Sequence, residues 1–408
     1  MMKKTIAEMD YRVDESRVID LLGRLDFPRV VGTAGEQRGY NVIWQELAAL
    51  RIKAGFEESP SPWVEIAEAD LRIQKECWPI TPLVSPLFNG RWIPIPEEVD
   101  IEGILVDSIG SDMDTGCPIL LRDAPDIASP CVPGAAAQLF ACQPDVGFVA
   151  YYLAAVGSLG KPLPSAWIAP EIGATLRQRL GRTCRFRWAS VKSEKVLRNL
   201  VAEIRGIERP EQVIAIGAHI DSFPGTVGAD DNASGCARLV ELARWFVAHP
   251  PLRTLRFIWF TGEELDRRGS RAYVQAHAQD EDRICLFINV DSGCDIEHER
   301  LPVEIENPLA LKKVVDTSLG AVCSPEGGLP FRKLNHCSEA SDAEPFHEAG
   351  IPAIYAPGTG KRKKGWPSAH LPTDIVGKLN RENVRTATMV ALAFIDAAQN
   401  HGLTIHST

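Results

Sequence analysis

Ionisable side chains directly follow four apolar runs in the second half of this sequence. They are His219 with Asp221, Glu263 with Glu264, Asp291, and His370 with Asp374. A short apolar run bounded by polar and Gly-rich residues is typical of a buried strand. Imidazoles and carboxylates are typical ligands of divalent metal ions, so their presence at several strand ends predicts a metal site. The mixed nitrogen and oxygen set suits zinc, with manganese or cobalt as competitors.

The spacing of these residues suggests hydrolysis. In His219-x-Asp221, the carboxylate can accept the hydrogen bond of the ring nitrogen that does not bind metal, which fixes the tautomer. Adjacent Glu263 and Glu264 point in different directions, so one can bind metal while its neighbour faces a metal-bound water. A metal lowers the pKa of such a water toward about 7, and the free carboxylate takes its proton.

Two further acids near these motifs leave alternatives open. Asp230, in GADDNASG, either supports a neighbouring ligand or caps the helix that begins at Ala233. Asp374 either supports His370 or caps the turn after Pro372.

The candidate residues are far apart in sequence, so a sheet must bring them together. After residue 192, apolar strands alternate with amphipathic segments, and in one of these a single face carries Leu239, Val240, Ala243, Phe246 and Val247. Such alternation predicts an α/β fold with a mixed, largely parallel sheet sandwiched by helices. In such a sheet the carboxyl ends of the strands line the ligand crevice.

The chain length and a change in local composition predict a second, smaller domain. At 408 residues the chain is too long for one ordinary core. Residues 76–192 contain Pro-punctuated, β-branched segments and no cluster of chemistry-bearing side chains. We therefore predict a catalytic domain from residues 1–75 and 193–408, interrupted by an insertion at 76–192.

Composition narrows the class of protein. With 45% hydrophobic and 24% charged residues, the chain is expected to be soluble and globular. A formal net charge of -10 argues against nucleic-acid partners. The ten cysteines include no C-x-x-C pair, which favours reduced packing residues. Neither a secretory signal nor an apolar run long enough to span a membrane is evident, so we expect a cytoplasmic location and no membrane association.

Five motifs, taken in order, carry a family resemblance. HIDS, GADDNASG, TGEEL, NVDSG and HLPTD resemble the motifs of the clan MH zinc exopeptidases, which include bacterial leucyl-type aminopeptidases and glutamate carboxypeptidase. The resemblance covers about residues 193–395, and RVVGTAG near the N-terminus is similar to that family's opening loop. The insertion resembles the protease-associated domain that many members carry. The implied fold is that of the zinc exopeptidases, which is phosphorylase/hydrolase-like.

This resemblance implies a site of two Zn²⁺ ions. One ion would be held by His219 and Asp291, and the other by Glu264 and His370. Asp231 would bridge the two ions, Glu263 would be the general base, and Asp221 would support catalysis from beside His219. The peptide bond after Asp231 is often cis in the family. The implied activity is that of an aminopeptidase acting on short peptides.

Several departures from the family pattern leave the substrate open. The glycine-rich stretch that usually follows the two glutamates is here LDRRGS, the tyrosine before His370 is replaced by Ala369, and a family histidine is replaced by Ala343. Together with the basic run at 361–364, these departures motivate the alternative of a carboxypeptidase or an amidohydrolase acting on a small amide. A non-catalytic binding protein on the same scaffold is a third hypothesis. An oligomer is possible.

Overall fold

The chain divides into two compact units. The computed structural model describes residues 13–82, 87–88, 91–92, 98–109, 116–123, 132, 134–141, 163–223, 226–278, 283–294, 301–305, 311–322, 331–334, 341–356, 370 and 373–400. One unit contains Met1–Ser59 and Leu197–Thr408, and the other contains Pro60–Val196. The sequence prediction had placed the two junctions at 75/76 and 192/193.

Strands and helices of the described residues are numbered in chain order. The strands are β1 (Ala54–Ile73), β2 (Glu76–Pro79), β3 (Thr81–Pro82), β4 (Leu87–Phe88), β5 (Arg91–Trp92), β6 (Glu98–Val106), β7 (Pro118–Arg122), β8 (Ala137–Ala141), β9 (Ser165–Ile168), β10 (Thr183–Ile204), β11 (Arg209–His219), β12 (Arg253–Phe260), β13 (Arg283–Asn289), β14 (Leu301–Ile305), β15 (Phe331–Leu334) and β16 (Ala353–Tyr355). The helices are α1 (Glu15–Arg24), α2 (Ala34–Ala49), α3 (Pro170–Arg177), α4 (Gly235–Ala248), α5 (Arg268–Ala276), α6 (Lys312–Val322), α7 (Ala343–Glu348) and α8 (Arg381–Asn400).

The larger unit is built on a mixed sheet in the order β15-β14-β16-β13-β11-β12-β10. The neighbours β12, β11, β13 and β16 are parallel, whereas β10 pairs antiparallel with β12 and β14 pairs antiparallel with β16. Strands β14 and β15 are parallel to each other. Residues 213–219 of β11 and every residue of β12 are buried. Strands covered on both faces need apolar side chains on both, which explains their continuous hydrophobic runs. The predicted α/β fold with a mixed, largely parallel sheet is confirmed.

Helices cover this sheet with one apolar face each. On α4, Leu239, Val240, Ala243 and Phe246 are buried as predicted. Val247 was predicted on the same face, but it is 45% exposed. It lies at the edge of the apolar stripe, and Cys236 and Leu242 take part in the core instead.

The central strands of the smaller unit pair in parallel. Strands β6, β7, β8 and β9 pair parallel in that order, and β3 and the first half of β10 pair antiparallel at its two sides. Its core includes Leu105, Leu121, Leu139 and Phe186. Since it has its own buried cluster, this unit has the ordinary basis of an independent domain.

None of the helices among the described residues combines the length and the apolar character needed to cross a membrane.

Candidate metal centre

The parallel strands place the candidate side chains at one edge of the sheet. His219 ends β11, Glu263 and Glu264 follow β12, and Asp291 follows β13. Strand β16 is parallel to β13, and the chain after it leads to His370. The carboxyl ends of parallel strands meet at a common edge, and this brings together residues up to 151 positions apart, from His219 to His370.

Two groups of three side chains lie close enough to hold a metal ion. One group is His219, Asp231 and Asp291, and the other is Asp231, Glu264 and His370. In each group one ligand atom per residue lies within 4.8 Å of the others. The five residues proposed from the sequence as metal ligands are therefore brought together by the fold.

Asp231 belongs to both groups and presents a different oxygen to each. Its Oδ1 lies 3.1 Å from Nε2 of His219, and its Oδ2 lies 3.4 Å from Nε2 of His370. The remaining oxygens complete the groups, with Asp291 Oδ1 at 3.6 Å from His219 Nε2 and Glu264 Oε2 at 3.0 Å from His370 Nε2. A carboxylate shared in this way has the geometry of a bridging ligand.

The segment that carries Asp231 has an irregular backbone. Residues Ala229–Ser234 form an irregular turn in which Asp231 and Asn232 have non-helical dihedral angles, and the Asp231–Asn232 peptide bond is cis, as the resemblance implies. The side chain of Asn232 fixes this turn by donating to Val290 O at 3.1 Å and by accepting from Gly235 N at 2.8 Å.

The donor set fits divalent metal ions. His219 Nε2 and Glu264 Oε1 are buried and have no hydrogen-bond partner among the described residues. Buried polar atoms are nearly always satisfied, so these two indicate a ligand that they would contact. Two imidazole nitrogens with carboxylate oxygens match the preferences of zinc.

The charges of the site also favour a bound cation. Burial alone lowers the pKa of each histidine, but neighbouring carboxylates outweigh burial and raise both pKa values well above 6.5. Asp291 contributes most to the shift at His219, and Glu264 contributes most at His370. Burial opposes the charge of Asp231, yet the two histidines lower the pKa of its carboxyl. The cluster thus favours positive charge at its centre, which a metal cation would supply.

The closest contact of Asp221 with the ring of His219 is made by its main chain, whereas the sequence analysis expects its carboxylate there. His219 Nδ1 lies 3.1 Å from the main-chain oxygen of Asp221, whereas the carboxylate Oδ1 is 3.6 Å away. The carboxylate instead accepts bonds from Glu263 N at 3.3 Å and Glu264 N at 3.1 Å. Asp221 therefore orients the histidine with its backbone and the glutamate loop with its side chain.

Glu263 lies beside the two groups without belonging to either. Burial is the main cause that raises the pKa of its carboxyl well above 4.5, and the charges of Glu264, Asp342 and Asp291 act in the same direction, while His219 opposes them. A carboxyl that holds a proton more firmly than usual is suited to proton transfer near neutral pH.

Both of the further acids, Asp230 and Asp374, bind main-chain amides of segments that carry candidate ligands. Asp230 accepts bonds from Gly293 N at 3.2 Å and Cys294 N at 2.7 Å, so it supports the loop of Asp291. Asp374 accepts bonds from Asp230 N at 2.7 Å and Asp231 N at 3.1 Å. It therefore supports the segment of Asp231, and neither alternative that the sequence offered for it describes these bonds.

Sequence reasoning missed several side chains that hold the ligands. The Tyr355 hydroxyl donates to Asp291 Oδ2 at 2.8 Å, and the ring of Phe223 stacks on His370 with centroids 4.5 Å apart. Fully buried Arg29 donates to the main-chain oxygens of Ile220 and Gly228 at 2.8 and 2.9 Å. Its place in the RVVGTAG loop was the available signal, whereas Tyr355 and Phe223 had none.

Two residues that depart from the family pattern, Asp266 and Arg267, form an ion pair with each other. Arg267 forms ion pairs with Asp266 and Glu344, and Arg271 lies 3.3 Å from Glu344 Oε1. The positive charge of Arg267 is therefore matched within the protein. Residues 361–364, the basic run named above, lie outside the described residues.

Comparison with known proteins gives consistent results. Residues 199–395 match the family model described as peptidase family M28. Aminopeptidase YwaD of Bacillus subtilis is 27% identical over 245 residues, which is 58% of this chain and 52% of that protein. A glutamate carboxypeptidase 2 homolog of Caenorhabditis elegans is 27% identical over 228 residues, which is 48% of this chain and 29% of that protein. The chain thus spans about half or less of the length of these relatives.

Among solved structures, BSAP, a zinc aminopeptidase from Bacillus subtilis, superposes with a TM-score of 0.72. The alignment covers 96% of each chain at 19% sequence identity. At this identity the likeness establishes the fold.

Proposed function

We propose that this chain, whose residues 199–395 belong to peptidase family M28, is a two-metal aminopeptidase that removes N-terminal residues from short peptides. One observation carries the proposal: the two oxygens of Asp231 face two different histidines, each of which has a further carboxylate beside it. This arrangement supports two zinc ions, with manganese or cobalt as substitutes. The zinc aminopeptidase with the same fold supports this choice of metal and activity.

The roles of the residues follow from their positions. His219 and Asp291 would hold one cation, Glu264 and His370 the other, and Asp231 both. Bound cations would polarise the scissile carbonyl and acidify the attacking water. Glu263 takes the proton of that water and returns it to the leaving amine. Asp221 keeps Glu263 at this position, because its carboxylate binds the amides of Glu263 and Glu264.

The substitution Glu263→Gln tests this assignment. Zinc content should stay at the parent level, because Glu263 is in neither ligand group. The rate of aminoacyl amide hydrolysis should fall by about 10²- to 10⁴-fold, the usual contribution of general acid–base catalysis.

Glu264→Gln is the matched control, since it changes the adjacent residue in the same way but removes a ligand oxygen. It should lower zinc content as well as activity. A Glu263→Gln protein that hydrolyses substrate at the parent rate would show that the base is another residue. A parent protein that binds no zinc would favour the non-catalytic alternative.

A carboxypeptidase or small-amide amidohydrolase is the alternative on the same site. It is favoured by the buried arginines 267 and 268, which follow the two glutamates, and by the carboxypeptidase 2 homolog among the relatives. The pairing of Arg267 with Asp266 and Glu344 weighs against it, because that guanidinium is already neutralised. A panel of free and N-acylated aminoacyl amides separates the two, since an aminopeptidase must fail on acylated substrates.

We also infer from the sequence the type of the smaller unit, the location of the protein and its self-association. The unit Pro60–Val196 is proposed to be a protease-associated-like domain. A cytoplasmic location and self-association are further proposals. Cell fractionation and analytical ultracentrifugation test them.

A further inference from the structure

Three buried acids outside the ligand set share one hydrogen-bonding pattern. Each uses its carboxylate to bind two consecutive main-chain amides of a loop elsewhere in the site. The pairs are Asp221 with the amides of Glu263 and Glu264, Asp230 with those of Gly293 and Cys294, and Asp374 with those of Asp230 and Asp231. Every one of these loops carries a candidate ligand.

Asp374 holds the segment that both metal groups share. Its two carboxylate oxygens bind the amides of Asp230 and Asp231, and its main-chain oxygen accepts from Ala229 N at 3.3 Å. Three consecutive amides of this irregular turn are thus bound to one residue, which is 1% exposed. Asp374 follows His370 by four positions, so the same short stretch carries a ligand of the second group.

Asp230 extends this connection to the first group. Its amide is bound by Asp374, and its own carboxylate binds the loop after Asp291. A path of hydrogen bonds therefore runs from the residues near His370, through the turn of Asp231, to the loop of Asp291. Three of the five candidate ligands, Asp231, Asp291 and His370, lie on the segments that this path joins.

We propose that Asp374 is a positioning residue that sets the distance between the two metal-binding groups by fixing Asp231 relative to His370. The proposal rests on the proposed function for the identity of the two groups. Ligand–metal distances in protein sites lie within about 0.2 Å of characteristic values, so a ligand on an irregular turn benefits from an external anchor. Amides supply this anchor without pairing the Asp374 carboxylate with a guanidinium. Replacing such a supporting partner typically costs 10- to 100-fold in metal affinity.

The substitution Asp374→Asn tests the proposal on the full-length protein. An asparagine oxygen can accept from one amide, but its NH₂ group faces the other donor. Zinc affinity, measured by competition with a chromophoric chelator, should fall by about 10- to 100-fold for the weaker of two ions. In the metal-free protein, hydrogen exchange at residues 229–231 should become faster.

Asp374→Glu is the second variant, for the case in which Asp374→Asn does not fold. It keeps both oxygens but moves them by one methylene, so weaker zinc binding and an altered absorption spectrum of the cobalt-substituted protein are expected. Glu241→Gln is the control. It neutralises a buried acid of the same unit that binds Arg17 and Arg244, and it should leave zinc affinity unchanged.

The outcomes separate the two proposals. A parent that binds two zinc ions, with weaker binding in either Asp374 variant, supports the inference. Parent-like zinc affinity in the Asp374 variants overturns the inference and leaves the proposed function standing. A parent without zinc overturns the proposed function and, with it, the inference.

Discussion

The larger unit contains two groups of acidic residues that are neutralised in different ways. At the candidate metal centre, Asp221, Asp230 and Asp374 bind main-chain amides. The other group lies where α1, α2 and α4 meet, and we call it the charged helix cluster. It consists of Arg17, Arg24, Glu46, Glu241 and Arg244.

In the charged helix cluster every acid meets a guanidinium. Glu241 is 2.5 Å from Arg17 Nη2 and 3.3 Å from Arg244 Nε, and Glu46 is 3.0 Å from Arg244 Nη2. The arginines are partly exposed, so these pairs are screened by water and salt. Opposite charges cancel there, and a cation would gain little by binding.

The difference shows how a protein can fix acids and still attract metal. An amide binds a carboxylate through a partial charge and leaves the net negative charge in place. A guanidinium binds as firmly but removes it. The metal centre thus keeps the potential that a cation needs, while its acids still hold the loops in position.

The largest expected effect comes from breaking the shared ligand. Asp231→Asn removes a charged oxygen from both groups, so zinc binding should be lost and peptidase activity should fall by about 10³-fold or more, equivalent to about 4 kcal/mol. Zinc content by mass spectrometry and steady-state kinetics measure this.

Glu241→Gln is the matching change in the charged helix cluster, and it should keep parent zinc content. If both variants lose zinc equally, the contrast between the two groups is wrong.

An intermediate effect is expected for Arg267, which forms buried ion pairs with two acids beside the metal centre. Arg267→Met leaves Asp266 and Glu344 without their buried partner and should lower the free energy of unfolding by about 3 kcal/mol. Chemical denaturation of the metal-free protein measures it.

A double-mutant cycle with Glu344→Gln sharpens the result. The pair should show a coupling of about 1 kcal/mol or more. Additive effects of the two substitutions would mean that the ion pair contributes nothing beyond its separate side chains.

The smallest effect is expected in the partly exposed pairs. Glu46→Gln breaks contacts with Arg24 and Arg244 and should lower the free energy of unfolding by less than about 1 kcal/mol, and by still less in high salt. Urea denaturation at two salt concentrations measures this. A loss that exceeds that of Arg267→Met, or that is insensitive to salt, would contradict the distinction between screened and buried pairs.

The amino-acid sequence by itself determined the α/β fold and the residues of the candidate site. Strands buried on both faces must be apolar throughout, so their ends are visible in the sequence, and the parallel arrangement places those ends together. His219, Glu264, Asp291 and His370 are candidates on this basis, because each follows such an apolar run. The choice of Asp231 as the shared ligand, and the division of the ligands between two ions, came from the family resemblance.

Only the tertiary structure decided how the supporting side chains bond. Asp221 was expected to bind a ring nitrogen through its carboxylate, yet that carboxylate binds amides 42 and 43 positions away. Asp374 binds amides more than 140 positions away. Tyr355 orients Asp291 through a hydrogen bond that no sequence motif indicates. Burial on both faces of a strand leaves a continuous apolar run in the sequence. The partner of a loop carboxylate depends on the path of two irregular segments in space, and no local pattern encodes that path.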